Sequence, residues 1–365
     1  FTYRASDGSL TSGTATVTIT VTPGTLGTAG HYPRVGRAAG GTKVFVTGTG
    51  FIGTGTPAIT VGGVPAPYVL VIDDEHLVFV APPLAVGPLY DIVIAVPGSG
   101  TTTIPAGYRT VDDTDADATT DTDGDGMTDL YEKQHSLDPA DPTDPALDPD
   151  GDGVTNLTES LQQHNPRAVF VRHFADGANS SFFTTWITLL NPTTFPADVL
   201  LRMVETNGQV VSKVLTVAPQ ARATVNAIEV PGLTGEFGTS VEADAQIVAE
   251  RTMMWDGRAY GGATEESTLT STTWYFAEGA THSNFDVFYL LMNPGETAAN
   301  VTVRYLPQAG APFTRTIDVP ANSRRTIWVN AQVPELTEGD FGAIFTSTQP
   351  IVAERAMYVS SGSVL

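Results

Sequence analysis

The sequence contains no cysteine among its 365 residues, which removes disulfide staples and thiolate metal sites together. Cations are scarce as well. Eighteen Lys and Arg stand against 40 Asp and Glu, leaving a formal net charge of -22, and a surface of that sign repels nucleic acid and anionic membranes. No apolar run approaches the roughly eighteen residues that a membrane-crossing helix needs. Lysine occurs only at 43, 133 and 213, so a lysine–asparagine isopeptide staple repeated from module to module is excluded by composition. None of this argues against export, because many exported bacterial proteins manage without disulfides.

Signatures of chemistry are missing too. There is no G-x-S-x-G, no H-E-x-x-H and no P-loop, and the six histidines (31, 76, 135, 164, 173, 282) stand singly without ligand spacing. The expectation is a protein that is not an enzyme. The chain opens on "FTYRASDGSL" and ends on "YVSSGSVL", which reads as a piece of something longer, with any secretory signal upstream.

What is present is β structure. Gly 36 and Pro 25, with threonine and valine throughout, suit strands and turns better than helices. The fold class expected is all-β, a string of β-sandwich modules joined by a small segment of loops and short helices. In residues 1–22, Val17, Ile19 and Val21 alternate with threonines, a half-buried strand of period two. This stretch resembles the closing strands of cadherin-like or other immunoglobulin-like surface repeats. Two strands cannot form a sandwich alone, so the remainder is expected upstream or from another chain by strand addition. Residues 31–111 carry short strand words ("TKVFVTG", "AITVGG", "YVLVI", "HLVFVAP", "YDIVIAVPG") at sandwich spacing. With Gly48–Phe51 and Val61–Pro65 they resemble the TIG (IPT) immunoglobulin-like module, which occurs in many bacterial surface proteins and does not by itself choose a function.

Residues 112–164 change character. Sixteen acidic residues fall between Asp112 and Glu159 against one base, Lys133. Within them "DTDGDGMTDLYE" (121–132) returns 27 residues later as "DPDGDGVTNLTE" (148–159). Oxygen side chains occupy loop positions 1, 3, 5, 9 and 12: Asp121, Asp123, Asp125, Asp129 and Glu132 in one copy, and Asp148, Asp150, Asp152, Asn156 and Glu159 in the other. Gly126 and Gly153 hold position 6, where the chain turns sharply. The carbonyls of Met127 and Val154 hold position 7. An all-oxygen set of this spacing suits Ca²⁺, which tolerates long bonds and irregular geometry, better than Mg²⁺.

The usual entering helix is absent from both copies, since "DDTDADATT" and "DPADPTDPAL" are poor helix formers; short exiting helices are expected after each loop. The segment therefore resembles thrombospondin type 3 repeats or dockerin-like loops, in which the ion organises a chain with little core. Asp138, Asp141 and Asp144 stand between the loops as further carboxylates. A bare acidic linker would not repeat five ligand positions and a glycine, and a sensor would carry a Met-rich groove where this segment has only Met127, Leu130, Leu137, Leu147, Leu157 and Leu161 as a miniature core. Two Ca²⁺ sites that stiffen a joint are the expectation.

Residues 165–365 hold an internal repeat. "FADGANSSFFTTWITLLNP" from Phe174 returns as "FAEGATHSNFDVFYLLMNP" from Phe276, "ARAT" from Ala221 as "SRRT" from Ser323, and "IVAER" from Ile247 as "IVAER" from Ile351. A period near one hundred residues, with Asn207-Gly208 marking a hairpin, predicts two tandem β-sandwiches at 165–264 and 265–365. The pattern resembles a repeat of large bacterial exported proteins. Period-two alternation puts Ile247, Ala249 and Arg251 on one face and Val248 and Glu250 on the other. The two Glu side chains are therefore expected to pair across strands, Glu250 with Arg202 or Arg222 and Glu354 with Arg304 or Arg324. Trp186, Trp255, Trp274, Tyr275 and Trp328 are expected in cores or at the junction of the repeats, with an exposed glycan-binding platform as the alternative.

Together these readings point to a non-catalytic structural or adhesive protein of the bacterial surface or exterior, a calcium-stiffened rod. Its expected partners are calcium ions, with copies of itself, other surface proteins or glycans beside them. The alternatives are an accessory region of a large secreted hydrolase, and a filament subunit assembled by strand donation.

Overall fold

The computed structural model describes residues 2–16, 25–112, 119–255 and 260–359. The chain is all-β with short helical inserts, and it divides into two compact units: 1–122 with 128–140, and 123–127 with 141–365.

The first unit opens on an antiparallel pair, β1 (Thr2–Tyr3) and β2 (Ala15–Thr16). Most of the strand expected over 14–22 lies outside the described residues. The sandwich after it is built from β3 (Gly27–Tyr32), β4 (Val35–Arg37), β5 (Lys43–Thr49), β6 (Ala58–Val61), β7 (Val64–Pro65), β8 (Tyr68–Val71), β9 (His76–Val80), β10 (Leu89–Val96) and β11 (Gly100–Val111). One sheet has the order β3-β5-β9-β8 and the other β4-β11-β10-β6-β7. Alternation decides which side chains enter. In β5, Val44 and Val46 are buried between the sheets while Phe45 between them points outward. Gly48 is required because a Cβ there would lie 2.1 Å from the Gly27 carbonyl oxygen on β3. The strand β11 goes beyond the expected strand words. Its threonines give little hydrophobic periodicity, yet it pairs along most of β10 and fully buries Tyr108.

Helix α1 (Asp129–His135) belongs to this unit, capped by the Thr128 side chain, which accepts from Tyr131 N–H, and closed by Ser136 in the left-handed region. Its end is fastened to the sandwich. Ser136 Oγ lies 3.3 Å from Thr42 Oγ1, and Arg109 on β11 forms an ion pair with Asp138.

The second unit contains helix α2 (Asn156–Gln162) and two sandwiches. The first comprises β12 (Phe170–Phe174), β13 (Ala178–Asn179), β14 (Phe183–Asn191), β15 (Ala197–Glu205), β16 (Val210–Val217), β17 (Ala221–Asn226), β18 (Gly235–Ala243), β19 (Val248–Trp255) and β20 (Tyr260–Glu266). Its sheets run β12-β18-β15-β16 and β17-β14-β19-β20. The expected hairpin joins β15 to β16, with Gly208 at φ 86°. The second comprises β21 (Ser271–Phe276), β22 (Phe285–Asn293), β23 (Ala299–Pro307), β24 (Phe313–Val319), β25 (Ser323–Trp328), the one-turn helix α3 (Val329–Gln332) and β26 (Phe341–Val359). Here the counterparts of β18 and β19 are one long strand, β26. Its first half pairs with β23 and its second half with β22.

The repeated words have identical jobs in both copies. Asn191 and Asn293, from the two "NP" pairs, are buried and use Nδ2 to donate to chain carbonyls, Val217 at 3.0 Å in one and Val319 at 3.2 Å in the other. The arginine of each "VAER" donates through Nη1 to the carbonyl of the acidic residue of each "FA[D/E]G": Arg251 to Asp176 at 2.9 Å and Arg355 to Glu278 at 2.6 Å. These bonds satisfy backbone carbonyls where the chain leaves a strand, the one at Asp176 being buried and the one at Glu278 exposed.

The partners expected for the glutamates are corrected. Glu354 pairs with Arg251 of the other repeat, across the junction and not within its own sandwich as expected. Arg202 and Arg324 also reach across the repeats, Arg202 to Asn322 and Glu296, and Arg324 to Asp176 and Glu236. Glu250 lies opposite Thr188 and Glu266. Period-two reasoning identified the faces but had no access to the packing of one sandwich on the next. Of the aromatics, Trp255 meets Tyr358 at the junction and Trp274 packs on the second core. Tyr275, in contrast, is 73% exposed, and Trp328 stacks on Phe288 while remaining partly open.

Candidate metal centre

The second acidic loop lies wholly within the second unit. Gly151 and Gly153 adopt φ 75° and 93°, turning the backbone back on itself twice. The aspartates are held by their own loop. Asp148 accepts from Gly151 N–H at 2.8 Å and Gly153 N–H at 3.0 Å, Asp150 from Asp152 N–H at 3.3 Å, and Asp152 from Val154 N–H at 2.7 Å. The loop closes where Asn156 N–H donates to Leu147 O at 2.9 Å, starting α2. Three carboxylates, from Asp148, Asp150 and Asp152, thereby offer oxygens within 4.8 Å of one another.

Below them Glu159 is 4% exposed, and its Oε2 has no hydrogen-bond partner; the same holds for Asn156 Oδ1 at 0% exposure. Burial, reinforced by Asp150, Asp152, Glu242 and Asp148, pushes the Glu159 carboxyl up to about 8, and burial with Asp152 and Asp148 pushes Asp150 up to about 6. Carboxylates brought together against their own repulsion, with a buried oxygen left over, form an all-oxygen donor set of the kind that could hold a cation.

Helix α2 is anchored at its C-terminal end. Gln163 is left-handed, His164 Nδ1 lies 2.8 Å from Glu242 Oε1 on β18, and Asn165 N–H donates to Glu242 Oε2 at 2.9 Å. Burial alone would raise the Glu242 carboxyl. The His164 hydrogen bond and charge, the Asn165 N–H and Arg202 outweigh it and hold the group low. The loop is thus bolted to the first repeat through one buried anion.

The first dodecamer repeats part of this construction. Gly126 has φ 99°, Asp123 accepts from Asp125 N–H at 3.2 Å, Asp125 from Met127 N–H at 2.7 Å, and Asp129 N–H donates to Thr120 O at 2.8 Å. Glu132 is fully buried. Asp129 is engaged differently from its counterpart Asn156. Its carboxylate accepts from Thr122 N–H and Oγ1 at 2.8 and 2.7 Å and lies 3.7 Å from Lys133 Nζ. Position 9 of this loop is therefore occupied by local bonds.

Among the three intervening aspartates it is Asp144, on a 3-10 turn, that comes within 4.8 Å of Asp125; burial, with Asp125, Asp141 and Asp123, pushes it up to about 7. Its own carbonyl accepts from Asn156 Nδ2 at 2.8 Å, tying the turn to α2. Spacing could not distinguish it from Asp138, which is committed to Arg109. Of the expected miniature core, Met127 and Leu137 are buried, whereas Leu147 and Leu161 are exposed.

Residues 28–109 match the IPT/TIG domain, in agreement with the resemblance drawn from Gly48–Phe51 and Val61–Pro65. No curated protein matches the chain. Among solved structures, the Anabaena sensory rhodopsin transducer aligns at 22% identity over 24% of this chain and 82% of its own, with a TM-score of 0.22. Thermotoga maritima 1070 aligns at 10% identity over 27% and 90%, with a TM-score of 0.25. SGBP-B from a xyloglucan utilization locus of Bacteroides uniformis aligns at 11% identity over 91% and 72%, with a TM-score of 0.20.

Proposed function

We propose that this chain is a non-catalytic structural or adhesive part of a bacterial extracellular or surface protein, and that its two acidic loops bind Ca²⁺ and thereby order the segment between the TIG module and the tandem repeats. The observation that carries the reading is Glu159: a buried carboxylate at loop position 12, one oxygen without a partner, beside the carboxylates of positions 1, 3 and 5. Without a counter-charge such a group keeps its proton, its carboxyl being pushed up to about 8, and a divalent ion at that point would displace the proton and supply the missing partner. Asp148, Asp150, Asp152, Asn156, Glu159 and the Val154 carbonyl would hold one ion. By its matching spacing the first loop, Asp121, Asp123, Asp125, Asp129, Glu132 and the Met127 carbonyl, would take the other.

Calcium here plays a structural part. Its loops bracket short helices that have few apolar residues, and extracellular calcium near 1 mM saturates even weak loops of this type. Calorimetric titration of Ca²⁺ into the chelator-treated chain tests the proposal, with small-angle scattering of both end states. Two ions bound and a narrower distribution of lengths support it. No binding at millimolar Ca²⁺ would sink it.

A further inference from the structure

The junction of the two repeats is heterologous. The first repeat contributes Ala175, Asp176, Arg202, Val204, Gly238 and Arg251, from the side of its "FADG" word. The second contributes a different surface, the outer face of β22, β25 and β26, with Leu290, Met292, Arg324, Val352 and Glu354. Because the repeats share one fold, each also possesses the surface that its neighbour used. Strand registers fix the equivalences. Met292 faces Arg324 and Val352 as Leu190 faces Arg222 and Val248, and Leu290 faces Glu354 as Thr188 faces Glu250. On the other side, Val204 opposite Gly238 corresponds to Leu306 opposite Gly342.

Both unused surfaces are open. On the first repeat Leu190 and Val248 are 43% and 42% exposed, where Met292 and Val352 are 0%, and Arg222 is exposed where Arg324 is buried. On the second, Ala277, Glu278 and Arg304 are exposed where Ala175, Asp176 and Arg202 are buried. A concavity of 620 Å³ reaches from Tyr275, Ala277, Glu278 and Arg355 on this side to Trp274 and Glu354 at the existing junction.

The charges match as well. Arg324 meets Asp176 across the existing junction, and its counterparts are Arg222 and Glu278. Arg251 meets Glu354, and its counterparts are Arg355 and Glu250. A surface that pairs with a different surface closes into a ring or propagates, whereas one that pairs with itself stops at a dimer.

We propose that the junction between the repeats is one step of a head-to-tail series, and that the open outer face of the first repeat binds the open "FAEG" side of the second repeat of another copy of this chain. Arg222 would meet Glu278 and Glu250 would meet Arg355 between molecules, and Leu190 and Val248 would cover Leu306.

The test is sedimentation of the full chain from about 1 μM to about 1 mM in chelating buffer, so that no cation bridges the copies. The wild type is expected to grow in mass with concentration past the dimer. Arg222→Glu and Glu278→Arg change exposed residues. Each alone juxtaposes like charges and is expected to weaken association at least about tenfold. Mixed one to one they recreate the opposite-charge pair, and association is expected to return. A chain that stays monomeric throughout overturns the proposal. So does association indifferent to both substitutions, or loss that mixing does not restore.

Discussion

Arg251 Nη1 lies 2.5 Å from Glu354 Oε2, so the arginine of the first "IVAER" holds the glutamate of the second. Glu354 also accepts from Ala175 N–H at 2.7 Å through its other oxygen. One word, written twice, supplies both halves of a bond between the repeats. In each copy the arginine additionally closes its own "FA[D/E]G" turn.

Removing one partner should therefore be costly only in the second copy. Glu354→Leu removes the carboxylate that faces the buried Arg251 guanidinium and accepts from Ala175 N–H, and is expected to destabilise the second unit by about 3 kcal/mol. The equivalent Glu250→Leu should change stability by less than about 0.5 kcal/mol. Urea unfolding of both variants makes the comparison, and equal losses would contradict the asymmetry.

Two equivalent glycines give a second contrast. A Cβ on Gly238 would lie 2.6 Å from Met292 Sδ of the other repeat and 3.1 Å from Phe174 O, whereas one on Gly342 meets only backbone, Phe276 O at 3.1 Å being nearest. Gly238→Ala is expected to cost about 1–2 kcal/mol more than Gly342→Ala through overpacking. Adding Met292→Ala should remove the difference, which a thermal unfolding cycle will show.

The metal reading yields a variant with two opposite readouts. At pH 7 a Glu159 carboxyl pushed up to about 8 is mostly protonated in the cation-free protein, and glutamine imitates that form. Glu159→Gln should leave the melting temperature in chelator unchanged. The stabilisation that the wild type gains from Ca²⁺, about 2.7 kcal/mol at a hundredfold excess over Kd, should fall at this site. Equal stabilisation of wild type and variant by Ca²⁺ would show that Glu159 is no ligand.

Acid sensitivity should come from His173. Burial is the main cause that holds its imidazole down to about 4, Glu242 opposes it, and His164, Arg172 and Arg202 add to it. Its Nδ1 lies 2.9 Å from Ser240 Oγ. The folded value is depressed below the unfolded one near 6.5. The neutral ring's contribution is thus complete above pH 6.5 and is lost as pH falls from there to about 4, amounting to roughly 2–3 kcal/mol. His173→Gln should flatten the stability profile over that window, measured by urea unfolding at each pH.

Much of this was legible in the chain itself. Val44 and Val46 announced a strand face through alternation alone, and the glycines at 126 and 153 marked turns that no residue with a Cβ takes easily. Helices α1 and α2 begin at position 9 of each loop and run out of it, as the short exiting helices expected there. These features depend on near neighbours in sequence. The absence of cysteine, the acidic excess, the duplicated dodecamer and the hundred-residue period were likewise set before any folding.

What the tertiary structure alone decided concerns residues far apart. It brought Asp144 within 4.8 Å of Asp125 and paired Asp138 with Arg109. It buried Glu159 beside Glu242, 83 positions away, and it took Glu354 from the partners its own repeat offered and gave it to Arg251. It also made unlike two halves that the sequence wrote alike, since Arg202 is enclosed and Arg304 is exposed. Local pattern specifies which face of a strand is apolar or charged. Which other surface covers that face depends on the stacking of whole domains, a long-range outcome that a two-residue period does not carry.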